Sequence, residues 1–149
     1  YTNEEVEAVL AHELGHHVHK DMIKNIIIQS GVLFLTTFVV SEVWYPFMNL
    51  FGYENIEIYT LPLLFLSFSV IHTIFIPVEL YLSRFFEKKA DDFALRKIEN
   101  PEKLGTGLAK LADESLSQLY FGMYKLLFEA SHPPIGKRVI KSLNWRDNI

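Results

Sequence analysis

The spacing of apolar residues along this chain predicts helices throughout. Thr2 and Glu5 have the spacing of a capping box, which predicts the start of a helix. Apolar residues then recur at helical spacing through this first helix. Two long apolar runs follow, at 22–40 and 61–82, while charged residues concentrate before and after them. We therefore predict an all-α protein that begins with an amphipathic helix from residue 3 to about residue 20.

The two apolar runs have the length of membrane-spanning helices. At about 1.5 Å per residue, a helix over 22–40 nearly crosses the ~30 Å hydrocarbon core of a bilayer. The run 61–82 carries Glu79 as its only formal charge, and Pro62 and Pro77 predict a helix start and a kink. Both runs are predicted transmembrane helices. The alternative is a pair of core helices in a soluble all-α domain.

Basic residues predict how this hairpin is oriented in a membrane. The connecting segment, 41–60, contains acidic and aromatic residues but no Lys or Arg. The basic residues lie at the two outer ends of the hairpin: Lys20, Lys24, Arg84, Lys88 and Lys89. Because cytoplasmic loops are enriched in Lys and Arg, we expect both outer ends on the cytoplasmic side.

Further helices are predicted in the part of the chain that follows the second apolar run. They are expected at 84–98, from about 101 to 116, in the aromatic segment 118–130, and in a basic terminal segment at 135–143. The 149 residues form one domain in this prediction. Without an initiator methionine, it is expected to be the C-terminal part of a longer membrane protein.

Composition excludes several classes of function. A net charge of −4 and a pI near 5.9 lack the basic footprint of a nucleic-acid binder. The absence of cysteine excludes disulfides, thiolate metal sites and a cysteine nucleophile.

The first helix contains the sequence His-Glu-Leu-Gly-His at 12–16. His12 and His16 are four residues apart, so both imidazoles stand on one face of a helix and can bind one zinc ion. Glu13 can then take a proton from a water at the metal and act as a general base. The alternative is a charged helix face with scattered histidines, but the apolar flanks favour a buried catalytic helix.

A catalytic zinc needs a third protein ligand. A hairpin whose outer ends lie together returns Glu87 to the neighbourhood of His16, and this predicts Glu87 as that ligand. Asp91 shares the face of Glu87 and is predicted to accept a hydrogen bond from a metal-binding histidine. The alternative is an ordinary solvated charged face. His17 and His19 point elsewhere on their helix and are predicted not to be ligands.

Four further polar residues carry weaker signals. His72 and Glu79 lie within the second apolar run, where an interior hydrogen-bonded role is the usual one. His132 lies in a Pro-bounded loop, from which it could donate a hydrogen bond to an oxyanion. Arg138 could pair with Asp91 or with a substrate carboxylate.

Together these residues resemble a known family. The motifs AHELGHH, SRFFEKKADDFA and SHPPIGKR, in this order and around a hydrophobic hairpin, are similar to those of the CAAX prenyl protease 1 family of integral-membrane zinc metallopeptidases. The similarity runs from Thr2 to about Leu143. It implies zinc on His12, His16 and Glu87, a general base at Glu13, a supporting acid at Asp91, and contributions near the transition state or substrate from His132 and Arg138.

The resemblance also implies a function. Family members cleave peptide bonds near prenylated C-termini inside a chamber of seven membrane helices, of which two are visible in this sequence. The expected partners are a peptide or protein substrate and the lipid bilayer. Three alternatives stay open: an HtpX-like protease that degrades misfolded membrane proteins, a catalytically silent zinc-stapled membrane scaffold, and a soluble helical module.

Overall fold

A computed structural model describes residues 1–52 and 58–146. In these ranges the chain forms helices and no strand, which confirms the all-α prediction. The helices are α1 (Asn3–Val18), α2 (Asp21–Leu50), α3 (Leu61–Thr73), α4 (Ile76–Lys97), α5 (Glu102–Glu114), α6 (Met123–Phe128) and α7 (Ile135–Leu143), with a 3-10 turn at Ile58–Thr60 before α3. Part of the predicted 41–60 connection, at 53–57, lies outside the described residues.

Helix α1 begins at the predicted capping box. The Glu5 backbone N–H donates to Thr2 Oγ1 at 3.3 Å, and the Thr2 N–H donates to Glu5 Oε2 at 2.8 Å. Lys110 of α5 donates to the same Glu5 oxygen at 2.7 Å. The bond from Lys110 and the bond from Thr2 lower the pKa of the Glu5 carboxyl to about 2. A local cap therefore also connects α1 to α5.

Helix α2 is longer than the sequence predicted. The span 22–40 was expected to end in a loop, but the helix continues to Leu50 with Pro46 inside it. The reason is that apolar residues keep a four-residue spacing past the expected end. Val40, Trp44 and Met48 are all buried, at 6%, 3% and 3% exposure. Among the described residues, α2 is one helix that is long and apolar enough to cross a membrane.

The second apolar run is divided into two helices. Pro62 lies in the first turn of α3, as predicted, and Pro77 is the second residue of α4. The kink expected at Pro77 is a full break between Thr73 and Ile76. A proline N–H is not needed in the first turn of a helix, so the chain ends one helix and starts another there. Helices α3 and α4 are long and apolar enough to cross a membrane only when they are taken together as one bent span.

The predicted helices of the C-terminal part are also found, with one correction. The helix over 84–98 is the second part of α4, the helix at 101–116 is α5, and α7 spans the predicted 135–143. The aromatic segment 118–130 forms only the short helix α6, Met123–Phe128. The backbone before this segment explains why the helix starts late. Leu116 adopts a left-handed φ of +50° and turns the chain out of the direction of α5.

The chain divides into two compact units, 25–79 and the combination of 1–24 with 80–149. The second of these contains α1, the larger part of α4, and α5 to α7. Its core consists of Ala8, Ala94, Leu95, Leu104 and Leu108, with Val139 and Trp145 among the side chains packed around it. Small residues in this core allow α1, α4 and α5 to lie close to one another.

Helices α5 and α7 are joined by a buried hydroxyl. Ser142 Oγ accepts from the Gly105 N–H at 2.8 Å and donates to the Pro101 carbonyl at 2.6 Å. A Cβ on Gly105 would lie 2.9 Å from Ser142 Oγ, so the glycine permits this contact. Helix α7, which carries Arg138, is thereby held against α5.

Candidate metal and catalytic site

A close approach of α1 and α4 positions the candidate site. A Cβ built on Gly15 would lie 3.0 Å from Ala90 Cα and 3.2 Å from Ala90 O. The backbones are therefore as close as a glycine allows. Glu87 precedes Ala90 by one helical turn, so it comes opposite His12 and His16, which flank Gly15 on α1.

Three side chains meet at this crossing. His12 Nε2 is 3.6 Å from Glu87 Oε2, and His16 Nε2 is 3.3 Å from Glu87 Oε1. The imidazole rings are 4.8 Å apart and nearly perpendicular. One ligand atom from each of the three residues lies within 4.8 Å of the others. Within the described residues, these three side chains form a group of donors that could hold a metal ion.

The chemistry of these donors fits a divalent cation. Glu87 Oε2 is buried and has no hydrogen-bond partner within the described residues. Burying a carboxylate oxygen without a partner is costly, and a cation between the three side chains would remove that cost. Two imidazole nitrogens and one carboxylate oxygen are a ligand set of catalytic zinc sites, which leave a further position for water.

Each histidine turns its other ring nitrogen towards a buried aspartate. His12 Nδ1 is 3.0 Å from Asp91 Oδ1, although this approach lacks hydrogen-bond geometry. His16 Nδ1 forms a hydrogen bond of 3.0 Å with Asp21 Oδ2. The aspartates are only 3% and 2% exposed. Both imidazoles therefore point Nε2 at Glu87, as carboxylate-supported metal-binding histidines do.

Asp91 is also the partner of Arg138. The guanidinium donates Nε to Oδ2 at 2.8 Å and Nη2 to Oδ1 at 2.7 Å, and both residues are buried. Of the two partners that the sequence left open for Arg138, the structure brings Asp91 to it. Burial raises the pKa of Asp91, but contacts from His12 and Arg138 outweigh this and hold it below its ordinary value. Arg138 Nη2 also lies 3.5 Å from Glu87 Oε2.

Glu13 and His132 face the same cavity as the three-residue group. The cavity has a volume of about 390 Å³. Its polar lining consists of His12, Glu13, His16, Glu87, His132 and Arg138. His132 Nε2 is 3.3 Å from Glu87 Oε1, and the Ser131 hydroxyl is 2.8 Å from His132 Nδ1. The His132 side chain is 60% exposed, so it remains accessible to a substrate.

His17, His19, His72 and Glu79 are not members of this group. His17 is exposed on α1, and the His19 ring packs edge-on against Phe93. His72 and Glu79 belong to the other compact unit, 25–79. The sequence predicted that His17 and His19 would not be ligands, and neither is a member of the metal-capable group.

Asp21 was not identified from the sequence. It lies five residues after His16, and the break between α1 and α2 falls between them. A helical repeat therefore gives no information about their separation. An acidic residue at the first position of a helix is also expected for a different reason, its favourable interaction with the helix dipole.

An all-α fold in which a His-Glu-x-x-His helix meets a glutamate on a second helix is the arrangement of a metallopeptidase. Comparison with known families agrees. The model of peptidase family M48 matches residues 1–146, and the chain belongs to this family.

Three of the relatives that match the chain illustrate the range of names in the family. A CAAX prenyl protease 1 homolog of Taenia solium is 35% identical over 147 residues, covering 92% of this chain and 30% of that protein. The uncharacterized metalloprotease YhfN of Bacillus subtilis (strain 168) is 29% identical, covering 91% of this chain and 33% of that protein. A protease HtpX homolog of Herminiimonas arsenicoxydans is 30% identical, covering 93% of this chain and 52% of that protein. The resemblance to CAAX prenyl protease 1 is thereby confirmed, and the chain spans about a third of the length of the first two relatives.

Proposed function

We propose that this chain is the catalytic part of a membrane-embedded zinc endopeptidase. In this proposal His12, His16 and Glu87 hold the zinc ion, and Glu13 is the general base. Membership of an M48 peptidase family supports the peptidase class. The donor set supports zinc, because two imidazoles and one carboxylate are a usual set for a hydrolytic zinc site.

One observation carries the proposal. Both imidazole Nε2 atoms converge on the Glu87 carboxylate, whose Oε2 is buried without a hydrogen-bond partner in the described ranges. Glu13 lines the cavity in front of them. A purely structural metal site has no use for an additional carboxylate in an open cavity, which argues against a silent scaffold.

Each residue of the candidate site has its own role in the proposed reaction. When bound, zinc supplies Lewis-acid polarisation of the scissile carbonyl and lowers the pKa of a water molecule. Glu13 accepts the proton of the attacking water and returns it to the leaving amine. His132 donates a hydrogen bond to the carbonyl oxygen as negative charge develops on it. Asp91 orients His12, and Arg138 fixes Asp91, so these two hold the ligand in place.

The membrane setting is supported by hydropathy and charge. Helix α2 is 30 residues long, apolar enough to cross a membrane, and mostly not buried within the protein. The bent pair of α3 and α4 is the second candidate span. Basic residues at the outer ends of both runs favour a cytoplasmic location for the site.

A CAAX-type substrate is the first choice, and an HtpX-type substrate is the second. The first follows from the names of relatives at 35% and 32% identity. The second is kept because HtpX homologs match the chain at 30% and 28% identity. Cleavage of farnesylated peptides in preference to the same peptides without the prenyl group would support the CAAX assignment. Equal cleavage of both sets would support the HtpX assignment.

The central test separates the base from the ligands. In the purified full-length protein, Glu13→Gln should retain zinc, measured by mass spectrometry of the metal, and lose peptide cleavage by roughly 100-fold or more. Glu87→Gln should lose both zinc and cleavage. Glu7→Gln is the matched control, because Glu7 is exposed on the same helix and does not line the cavity. A Glu13→Gln variant that holds zinc and turns over substrate at a near-normal rate would refute the proposal.

A further inference from the structure

We propose that Asp21 is the positioning residue that orients His16 for metal binding. The inference rests on the proposed function, because it assumes that His16 binds a metal. It concerns a residue that neither the sequence motifs nor the relatives' names assign to the site.

The contact determines which nitrogen of His16 is available. Asp21 Oδ2 lies 3.0 Å from His16 Nδ1, and Asp21 is 2% exposed. A carboxylate oxygen at this distance accepts a hydrogen bond from the tautomer of His16 that carries its proton on Nδ1, and so favours that tautomer. A neutral imidazole then carries its lone pair on Nε2, which lies 3.3 Å from Glu87 Oε1. Asp21 thus selects both the tautomer and the ring direction needed at the metal.

The fold holds Asp21 at this position by two local features. Lys20 adopts a left-handed φ of +56°, which turns the chain sharply and starts α2 beside the end of α1. Such a φ is unfavourable for a residue with a side chain, so the surrounding structure must maintain it. Lys24, one turn along α2, donates Nζ to Asp21 Oδ1 at 3.0 Å. One carboxylate oxygen therefore binds Lys24 while the other binds His16.

The two histidines are supported unequally. Asp91, next to His12, is fixed by a buried bidentate contact from Arg138. Asp21 is fixed by Lys24, whose side chain is 42% exposed. Asp21 therefore lacks the two-point guanidinium contact that fixes Asp91, and a single lysine contact restricts its carboxylate less.

The experiment measures metal affinity in the purified full-length protein. Zinc affinity is obtained by competition with a chelator for Asp21→Asn and Asp21→Ala. Asp21→Ala should weaken zinc binding by roughly 10- to 100-fold. Asp21→Asn should lose less, because its amide oxygen can still accept from Nδ1. The visible spectrum of the cobalt-substituted protein should change in both variants, because it reports the coordination geometry.

Two controls separate this role from general effects. Lys103→Gln removes a lysine that pairs with Glu4 and does not line the candidate cavity. Asp92→Asn removes a carboxylate that pairs with Lys141 and does not line the candidate cavity. Both controls should bind zinc within about twofold of the wild-type affinity, as expected for partly exposed ion pairs.

The outcomes are distinguishable from those that test the proposed function. Zinc affinity within twofold of wild type in a folded Asp21→Ala variant would overturn the inference alone. Loss of helical circular dichroism in both Asp21 variants would also overturn it and assign Asp21 to the start of α2. Weaker zinc binding in a protein that cleaves no peptide would support the inference and refute the peptidase. A wild-type protein that binds no zinc would overturn both.

Discussion

At the scale of single residues, the candidate site is a chain of charged contacts that begins at Arg138. Its guanidinium binds Asp91, Asp91 lies against His12, and His12 faces Glu87. Each of these residues is less than 10% exposed. Removal of one partner from a buried pair leaves the other without compensation, and that penalty exceeds the value of the pair itself.

The first prediction concerns the stability of this buried pair. Arg138→Met should lower the free energy of unfolding by about 3–5 kcal/mol, because the Asp91 carboxylate then stays buried without its main donor. Denaturation of the detergent-solubilised protein, followed by circular dichroism, measures the change.

Arg146→Gln is the control for that measurement. Arg146 is exposed and donates to the Glu99 carbonyl at 2.9 Å. Its replacement should change the free energy of unfolding by no more than about 0.5 kcal/mol. Equal effects of the two substitutions would show that the buried pair contributes nothing special to stability.

At the scale of helices, the contact of α1 with α4 determines whether the ligand atoms meet. Gly15 and Ala90 are in close contact where the helices meet, and His16 and Glu87 lie one position and one turn away from that contact. Helix packing distances follow from side-chain size at the contact. The separation of the two histidines from Glu87 is thus controlled by two small residues that bind no metal.

A second prediction tests this control. Gly15→Ala should push α1 away from α4, because its Cβ would lie 3.0 Å from a backbone atom that cannot rotate aside. We expect a lower melting temperature and a zinc affinity reduced by roughly tenfold or more, since a ligand misplaced by a few tenths of an ångström weakens coordination. Melting curves and chelator competition provide the two measurements.

Gly31→Ala is the matched substitution for this test. Gly31 lies within α2, and nothing is within 4 Å of a Cβ built there. Alanine is favoured over glycine in a helix interior by about 1 kcal/mol, so the variant should be unchanged or slightly more stable. If Gly15→Ala behaved like Gly31→Ala, close packing of α1 on α4 would not be required for the site.

The contact of α1 with α5 predicts a dependence on pH. The pKa of Glu5 falls from 4.5 to about 2, mainly because Lys110 and the Thr2 N–H bind its ionised form. A pKa that is lower in the folded state stabilises the fold above the unfolded pKa, and that stability is lost as the pH falls towards the folded pKa. The melting-temperature difference between wild type and Glu5→Gln should therefore be full above pH 4.5 and shrink between pH 4.5 and about 2.

The measurement is best made on the metal-free protein, so that loss of zinc in acid does not contribute. Glu7→Gln, at an exposed position two residues further along α1, serves as the control. Its melting temperature should follow that of the wild type throughout. A constant difference between wild type and Glu5→Gln across this pH range would contradict the prediction.

At the scale of the whole molecule, the central question is how the apolar helices are inserted. In the described ranges, α2 is by itself long and apolar enough to cross a membrane. Helices α3 and α4 are long and apolar enough when they are taken together as one bent span. The basic residues lie outside the hairpin. The proposed orientation therefore places both outer ends in the cytoplasm and the connection on the opposite side.

Cysteine labelling provides the test of this orientation. This chain contains no cysteine, so single cysteines can be introduced into a full-length protein in which any others are replaced. Asn49→Cys, in the last turn of α2, should react with a membrane-impermeant maleimide in intact cells. Lys97→Cys, at the end of α4, should react only after the cells are permeabilised. The reverse pattern would place the candidate site on the outer side.

Several helices were predictable because their signals are local. The cap at Thr2, the prolines at 62 and 77, and the limits of α7 all depend on residues adjacent in sequence. The end of α2 was predicted too early. There the acidic and aromatic composition suggested a loop, while burial of Trp44 and Met48 within the unit 25–79 kept the helix intact.

The amino-acid sequence by itself determined that His12, Glu13 and His16 share one turn of a helix, because the helical repeat alone sets the spacing of residues four apart. It also determined the alternation of apolar and charged segments. Only the tertiary structure decided which carboxylates reach the histidines. Asp21 arrives through a left-handed turn, and Asp91 and Glu87 arrive through the packing of α1 on α4. Such distances depend on contacts between residues far apart along the chain, which no local repeat specifies.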